Sequence, residues 1–372
     1  MTELVNRLIR PELVALKPYE SARRLFSFAG NEKVGTEEMA TDWLNANENP
    51  FVPKADIDTA LFNRYPDFQP QPLIQAYARY AAVASDNVLA TRGADESIEL
   101  LIRTFCRSEL QDSITICPPT YGMYAISAQT NGTKVKSVPL LPNMQLDLER
   151  LIPTISDSKL VFICSPNNPT GNIIEINNFR KLLEASKDLC LVVADEAYVE
   201  FCPEASVVSL LAEFPNLVIT RTLSKAFGLA GLRCGFTLAH RDVIGAMKKV
   251  IAPYPISAPV AQIATQALSE SGIDWMKDKV TSLNSLRDEF IERAKLWHAV
   301  EKVYPSQTNF VLLKLAQSLD ASQVLDAFNR RGVLLRNQST QLMLDNTLRV
   351  TIGDARQMQN VSSLFTQLDD QL

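Results

Sequence analysis

The sequence predicts an α/β protein: a mainly parallel sheet flanked by helices, followed by a smaller α+β domain. Three observations carry this reading. Four runs of strand length, Ser113–Cys117, Leu160–Cys164, Leu189–Ala194 and Leu217–Thr220, are nearly continuous in apolar residues, as strands covered on both faces are. Segments of helical character lie between some of them, which is the alternation of a parallel sheet. A Pro-rich connection, PYPISAP, ends that alternation near residue 255, and the pattern beyond it differs.

Taken in chain order, residues 1–45 read as an N-terminal arm interrupted by Pro11, Pro18 and Gly35, expected to pack with the smaller domain. Residues 46–255 form the large domain. Within it, Ile98, Leu101, Ile102 and Phe105 fall at i, i+3, i+4 and i+7 and mark an amphipathic helix. Phe179–Ala185 (FRKLLEA) has helical character too. Residues 256–372 form the small domain. A long helical region runs through Trp297; strands are expected at Phe310–Leu315, Val333–Arg336 and Leu348–Ile352, and helices at 321–331 and 355–368.

The composition narrows the function. A chain of 372 residues suggests about two domains. Its 46% hydrophobic and 21% charged residues are those of an ordinary globular protein. With 37 Lys+Arg against 42 Asp+Glu the net charge is −5, which argues against nucleic acid or an anionic membrane as partner. The only two histidines, His240 and His298, have no metal-ligand spacing, so no metal site is expected, nor a His general base paired with a nucleophile. None of the six cysteines forms C-x-x-C, and most sit in apolar stretches, as buried free thiols of a reduced compartment do. The N-terminus lacks the apolar core of a signal peptide, and no uncharged apolar run approaches the ~20 residues of a membrane span. A cytoplasmic location is expected.

In open parallel sheets ligands gather at the carboxyl ends of the strands. Here Cys117 leads to PPTYG, Cys164 to SPNNPTG, Ala194 to DEAY, and the run ending at Thr220 to RTLSKAFGLAGLR. Lys225 has no charged immediate neighbour; it is either a solvated surface lysine or a desolvated amine of lowered pKa, fit to be a nucleophile. Asp195-Glu196 at a strand end needs a cation to be buried. That cation is either a protonated pyridine nitrogen or the Mg²⁺ of a P-loop ATPase. The second requires a Gly-Lys pair, which the chain lacks, and no G-x-G-x-x-G is present for a dinucleotide. Ser165–Gly171 is a stiff turn, either a plain one or one that holds Asn168 against a ligand oxygen. Arg233 is a bidentate phosphate binder by chemistry. Gly93-Ala94-Asp95 opens a helix, as an anion site or with Asp95 as a plain N-cap.

SPNNPTG, ADEAY and TLSKAFGLAGLRCG, in this order, resemble the fold-type I pyridoxal-phosphate-dependent aminotransferases. With YESARR, LNANENP, NRYPD, TRGADESIELLIRTFC, CPPTYGMY and APYP, the set is similar to the histidinol-phosphate aminotransferase branch over about residues 19–355. The resemblance implies a large domain with a mainly parallel seven-stranded sheet and a homodimer with shared active sites. It implies pyridoxal 5'-phosphate carried on Lys225, which then serves as base and acid of a proton shift. Asp195 would pair with the ring nitrogen, Asn168 and Tyr198 with the phenolic oxygen, and Tyr121 with the ring face. Gly93, Ala94, Asp95, Thr222, Ser224 and Arg233 would hold the phosphate, joined by Tyr65 of a second subunit. Arg349 would take the carboxylate of glutamate, with Tyr19, Asn47, Tyr65 and Arg336 for the phosphorylated substrate. The implied reaction is ping-pong transfer of an amino group between L-glutamate/2-oxoglutarate and imidazole-acetol phosphate/L-histidinol phosphate, a step of histidine biosynthesis. An aromatic amino acid aminotransferase, a decarboxylase of a phosphorylated amino acid and a non-catalytic cofactor-binding regulator are the rival readings.

Overall fold

The structure is a computed structural model and describes residues 10–14, 16, 42–60, 62–370 and 372. Most of the N-terminal arm, including Tyr19, lies outside the described residues. The large domain is built on seven strands: β1 (Val88–Thr91), β2 (Ser113–Ile116), β3 (Lys134–Ser137), β4 (Ser158–Cys164), β5 (Leu191–Asp195), β6 (Leu217–Thr222) and β7 (Gly235–Ala239). They run in the order β1-β7-β6-β5-β4-β2-β3. The pairs β3/β2, β2/β4, β4/β5 and β5/β6 are parallel, and β7 is antiparallel to both neighbours.

The apolar runs are continuous because both faces of the sheet are covered. On β4, Leu160, Phe162 and Cys164 belong to one core, while Val161 and Ile163 belong to the other. Val193 and Val218 likewise divide from Val192, Ala194, Leu217 and Ile219. Alternation of side chains along a strand thus feeds two cores from one unbroken apolar run. Helices Ala94–Phe105 and Met123–Asn131 pack on the first face, and Gln71–Ala81 and Ile176–Ser186 contribute to the second.

The small domain carries a four-stranded antiparallel sheet, ordered Arg336–Asn337, Thr347–Thr351, Phe310–Leu315, Val300–Val303. Helices Ala321–Asn329 and Ala355–Asp369 accompany it. From the arm, Asp42–Trp43 pairs in parallel with Val333–Leu334, while Pro11–Val14 lies against the large-domain helix Met123–Asn131.

Several expectations are corrected. The run Val333–Arg336 is two strands in two sheets, because Leu335 turns the chain from the arm's Asp42–Trp43 to Thr347–Thr351. The helical region ending at Trp297 breaks into Ala258–Ala267 and Glu270–Ala294, where the Ser269 side chain accepts from Gly272 N–H and caps the second helix. β1, β3, β7 and Val300–Val303 are strands that apolar runs do not announce. β3 is KVKS at a sheet edge, with no residue buried.

Asp195 and Glu196 part company at the end of β5. Asp195 faces a cleft, whereas Glu196 meets Arg221 of β6, with Nε and Nη2 both within 2.8 Å of Oε2. Glu196 Oε1 also accepts from Val207 N–H at 2.6 Å, and both side chains are almost fully buried. Arg221→Leu strands that carboxylate, and breaking a buried pair on one side costs about 3–5 kcal/mol. Urea denaturation of the purified variant should register a loss of that size; a change under about 1 kcal/mol would show the pair to be incidental.

Candidate active site

The cleft lies where four strand ends meet the small domain. β2 delivers Tyr121, β4 delivers Cys164 and Asn168, β5 delivers Asp195, Ala197 and Tyr198, and β6 delivers Thr222, Ser224 and Lys225. The helix Ala94–Phe105 adds Ala94 and Asp95 from its first turn, the antiparallel β7 is preceded by Arg233, and the small domain adds Arg336 and Arg349. Order explains the place: β3 and β4 lie on opposite sides of β2, so the chain changes direction there and leaves a crevice beyond the strand ends.

Asp195 is 2% exposed. Its Oδ2 accepts from the Tyr124 hydroxyl at 2.7 Å and its Oδ1 from Ala197 N–H at 3.2 Å. Among the described residues it makes no ion pair, and burial pushes its carboxyl up to about 6 despite the Tyr124 and Ala197 donors. A cationic ligand atom beside it would restore the charge.

Lys225 donates to the Ala46 carbonyl at 3.0 Å, with Nζ 5.7 Å from the centre of the Tyr198 ring. Burial, then the Arg349 guanidinium, lowers its amine to about 8 against the pull of Asp95 and Glu48. The lysine is half-buried in the cleft and not an exposed surface residue.

Tyr198 is buried, and its hydroxyl oxygen accepts from Asn47 Nδ2 at 2.9 Å. Burial raises its phenol well above the ordinary value, so it stays protonated and keeps its O–H for donation. Asn47 is itself tied to the small domain: its N–H donates to Thr351 Oγ1 at 3.0 Å, and its carbonyl accepts from Asn309 Nδ2 at 3.1 Å. Its φ of 53° is left-handed, a conformation that asparagine tolerates better than most residues.

The two asparagines of SPNNPTG divide their labour. Asn167 staples the turn through Pro119 O and Thr170 Oγ1, and Asn168 faces the cleft, accepting from Arg349 Nη1 at 2.6 Å. Arg349 also donates to the Asn45 carbonyl at 3.1 Å and lies 5.2 Å from the Phe310 ring centre. Arg336 is its direct cross-strand partner, so two guanidinium groups share one wall.

At the other end Thr222, Ser224 and Arg233 form a knot of donors. Thr222 Oγ1 lies 2.8 Å from Ser224 Oγ, and Arg233 Nη1 lies 3.3 Å from Ser224 Oγ. Arg233 adopts φ 54°, and its Nη2 lies 3.1 Å from Asp95 Oδ2. The helix N-cap is Gly93, not Asp95, because the Asp95 carboxylate is engaged by Arg233 and the Tyr121 hydroxyl. Gly93 does not line the cleft. It stands behind it at φ 83°, and a Cβ there would come 2.7 Å from Arg233 Nη2.

Of the residues singled out from the sequence, Tyr65 is not brought into this chain's cleft. It is 81% exposed and stacks on Tyr254 at 4.5 Å. Sequence reasoning missed Asn45, Ala46, Cys164, Ala197 and, behind the cleft, Tyr124. LNANENP holds the first two, and Tyr124 gives no sequence signal beyond that of one more aromatic at a helix start.

The residues present fit a cofactor with one protonated ring nitrogen, a phenolic oxygen, an aldehyde and a phosphate: a buried carboxylate without a cation, a phenol with a free O–H, an amine of lowered pKa, and a hydroxyl–guanidinium knot beside a helix start.

The chain belongs to the family described as aminotransferase class I and II, which it matches over residues 30–364, a family of pyridoxal-phosphate-dependent enzymes. Within it, the chain is 49% identical over 368 residues to a protein of Aeromonas hydrophila subsp. hydrophila named histidinol-phosphate aminotransferase, covering 99% of this chain and 98% of that one. The solved histidinol-phosphate aminotransferase of Clostridium acetobutylicum superposes with a TM-score of 0.83 at 26% identity, over 90% of this chain and 100% of its own. That of Sinorhizobium meliloti, solved in complex with pyridoxal-5'-phosphate, shares the fold with a TM-score of 0.82 at 22% identity, over 97% and 98% of the two chains.

The lowered pKa of Lys225 is testable in cofactor-free protein. Because the shift is downward, the reactive free amine appears at lower pH than in an exposed lysine. Acylation of Lys225, followed by peptide mass spectrometry, should rise with a midpoint near 8, against about 10.4 for ordinary lysines. A Lys225 midpoint equal to the surface value contradicts the assignment.

Proposed function

We propose that this chain is a histidinol-phosphate aminotransferase: it moves an amino group from L-glutamate to imidazole-acetol phosphate, reversibly, using pyridoxal 5'-phosphate. The observation that carries the reading is that Lys225 and Asp195 line one cleft: an amine of lowered pKa, and a buried carboxylate with no ion pair among the described residues. The near full-length likeness to a protein of that name supports the choice of substrate.

When bound, pyridoxal phosphate supplies an electrophilic carbonyl and an electron-poor ring that takes up the electron pair left at the substrate's Cα. Asp195 would hold the positive ring nitrogen. Tyr198, steadied by Asn47, would donate its O–H to the phenolic oxygen, together with Asn168. Tyr121 would pack on the ring. Ala94 and Asp95 N–H groups, Thr222, Ser224 and Arg233 would bind the phosphate. Lys225 Nζ would hold the group's carbonyl carbon, and as a free amine of lowered pKa it is the base placed to take the substrate's Cα proton and return it. Such acid–base assistance is worth roughly 10²–10⁴-fold. Arg349 binds the substrate's anion, with Arg336 beside it.

The decisive measurement is glutamate formation from histidinol phosphate and 2-oxoglutarate by the cofactor-loaded protein. Turnover is expected to be far faster than with phenylalanine as donor, and Lys225→Ala should lower it more than about 100-fold. Folded, loaded protein that makes no glutamate would overturn the substrate assignment; faster turnover with phenylalanine would favour the aromatic aminotransferase.

We infer further that the enzyme is a cytoplasmic homodimer with shared sites. Six buried, unpaired cysteines suit a reducing compartment. Tyr65 shares an exposed groove with Phe62 and Tyr254, an apolar patch of the kind that a second copy covers. The segment before it is fastened outward by two glutamines: Gln266 and Gln262 each both donate to and accept from the backbone, at Asp56 and Asp58 respectively. If Tyr65 completes the partner's phosphate site, mixing inactive Lys225→Ala with impaired Tyr65→Ala subunits should restore activity, because one site of each mixed dimer then carries neither defect. No recovery after verified subunit exchange would place Tyr65 in its own chain's site.

A further inference from the structure

Tyr124 is fully buried in the first turn of helix Met123–Asn131, three residues after the cleft-lining Tyr121, which precedes the helix. Its ring stacks on Phe162 of β4, centroids 4.9 Å apart and 16° between planes, and meets Tyr121 edge-on at 5.7 Å. Packing therefore fixes the ring, and with it the direction of the one polar atom it carries. That hydroxyl donates to Asp195 Oδ2 at 2.7 Å, shorter than the 3.2 Å contact from Ala197 N–H to Oδ1. The distance is that of a charge-assisted O–H···O⁻ bond.

We propose that Tyr124 is a positioning residue of the cofactor site: its hydroxyl sets the plane and the charge of the Asp195 carboxylate, and so governs how tightly the site holds a protonated ring nitrogen. The inference rests on the reading of Asp195 given above. Tyr124 does not line the cleft, so it touches neither substrate nor cofactor and acts only through the carboxylate. Tyr124 and Ala197 N–H hold one carboxylate oxygen each; without the Tyr124 hydroxyl, Oδ2 loses its closest donor, and the Thr220 hydroxyl exerts a weaker pull. The charge argument runs the same way. Burial, with Asp95 as a like charge, pushes the Asp195 carboxyl up, and the Tyr124 donor is the largest influence pulling it down. Without that donor more of the carboxyl is neutral at neutral pH, and binding a cationic ring must first ionise it.

Tyr124→Phe removes the hydroxyl and keeps the ring that packs on Phe162. The test uses cofactor-stripped protein and two ligands: pyridoxal 5'-phosphate, and its analogue with C–H in place of the ring nitrogen. A hydrogen bond to a charged group is worth about 1.5–3 kcal/mol, so affinity for pyridoxal phosphate should fall at least about tenfold. Affinity for the analogue should stay within about twofold. In an Asp195→Asn background the same substitution should add nothing. Equal weakening of both ligands would reduce Tyr124 to a packing role, and no weakening of either would remove it from the site; both overturn the proposal. If instead Asp195→Asn leaves pyridoxal phosphate binding unchanged, the underlying assignment of Asp195 fails, and Tyr124 falls with it.

Discussion

Burying a carboxylate without a cation costs several kcal/mol, and a chain that does so at the end of a central strand has a constraint to satisfy. Asp195 occupies that position, 2% exposed and in register with Cys164 on one side and Thr220 on the other. Its neighbour Glu196 shows the usual solution, a buried arginine from the next strand. The contrast between adjacent residues is informative. The fold can bring a guanidinium to a carboxylate at this depth, and at Asp195 it supplies a phenol and a backbone N–H instead. The missing charge is left for a ligand.

The rest of the cleft follows from that choice. Cationic groups stand elsewhere in the cleft: Lys225 after β6, Arg233 before β7, Arg336 and Arg349 on the small-domain wall. Three of them are set apart by their own acceptors, Lys225 by the Ala46 carbonyl, Arg233 by Asp95, and Arg349 by Asn168 and the Asn45 carbonyl. Burial and the Arg349 charge then hold the Lys225 amine down to about 8, which makes it a usable nucleophile. A chain of net charge −5 thus presents local positive charge to anions without any bulk excess of basic residues.

Much of this was legible because polar residues at the ends of apolar runs have few structural excuses. Lys225, Asp195 and Asn168 stood out on that ground, Tyr198 only through the family resemblance, and the strands lie within about two residues of the apolar runs that announced them. What stayed hidden depends on contacts between distant segments. Ala46 offers Lys225 a backbone carbonyl, which no side-chain pattern encodes. Tyr124 in a helix reads as one more core aromatic until its hydroxyl is seen to end on Asp195. Asp95 carries the residue type of an N-cap, but Arg233 and Tyr121 claim its carboxylate, and Gly93 takes the cap. β3, with lysines at alternate positions, is a strand only because β2 offers it an edge.

The small-domain wall bears on the harder problem of the proposed reaction, that one cleft serves two unlike amino donors. Glutamate brings two carboxylates; histidinol phosphate brings a phosphate dianion and no α-carboxylate. A single arginine can fork onto either anion, but it neutralises only half of a phosphate dianion. Arg336 and Arg349 face each other across adjacent antiparallel strands, a juxtaposition of like charges that carries a cost of about 0.2–1 kcal/mol in a sheet. Side by side, their two planar forks can close on a dianion with three oxygens, or Arg349 alone can take a carboxylate in bidentate fashion. Arg349 is anchored through Asn168 to the turn that lines the same cleft, so in the proposed reaction an anion captured there would be held in one place whichever substrate brings it. Dual specificity then needs no rebuilding of the cleft, only a change in how many guanidinium groups the substrate engages.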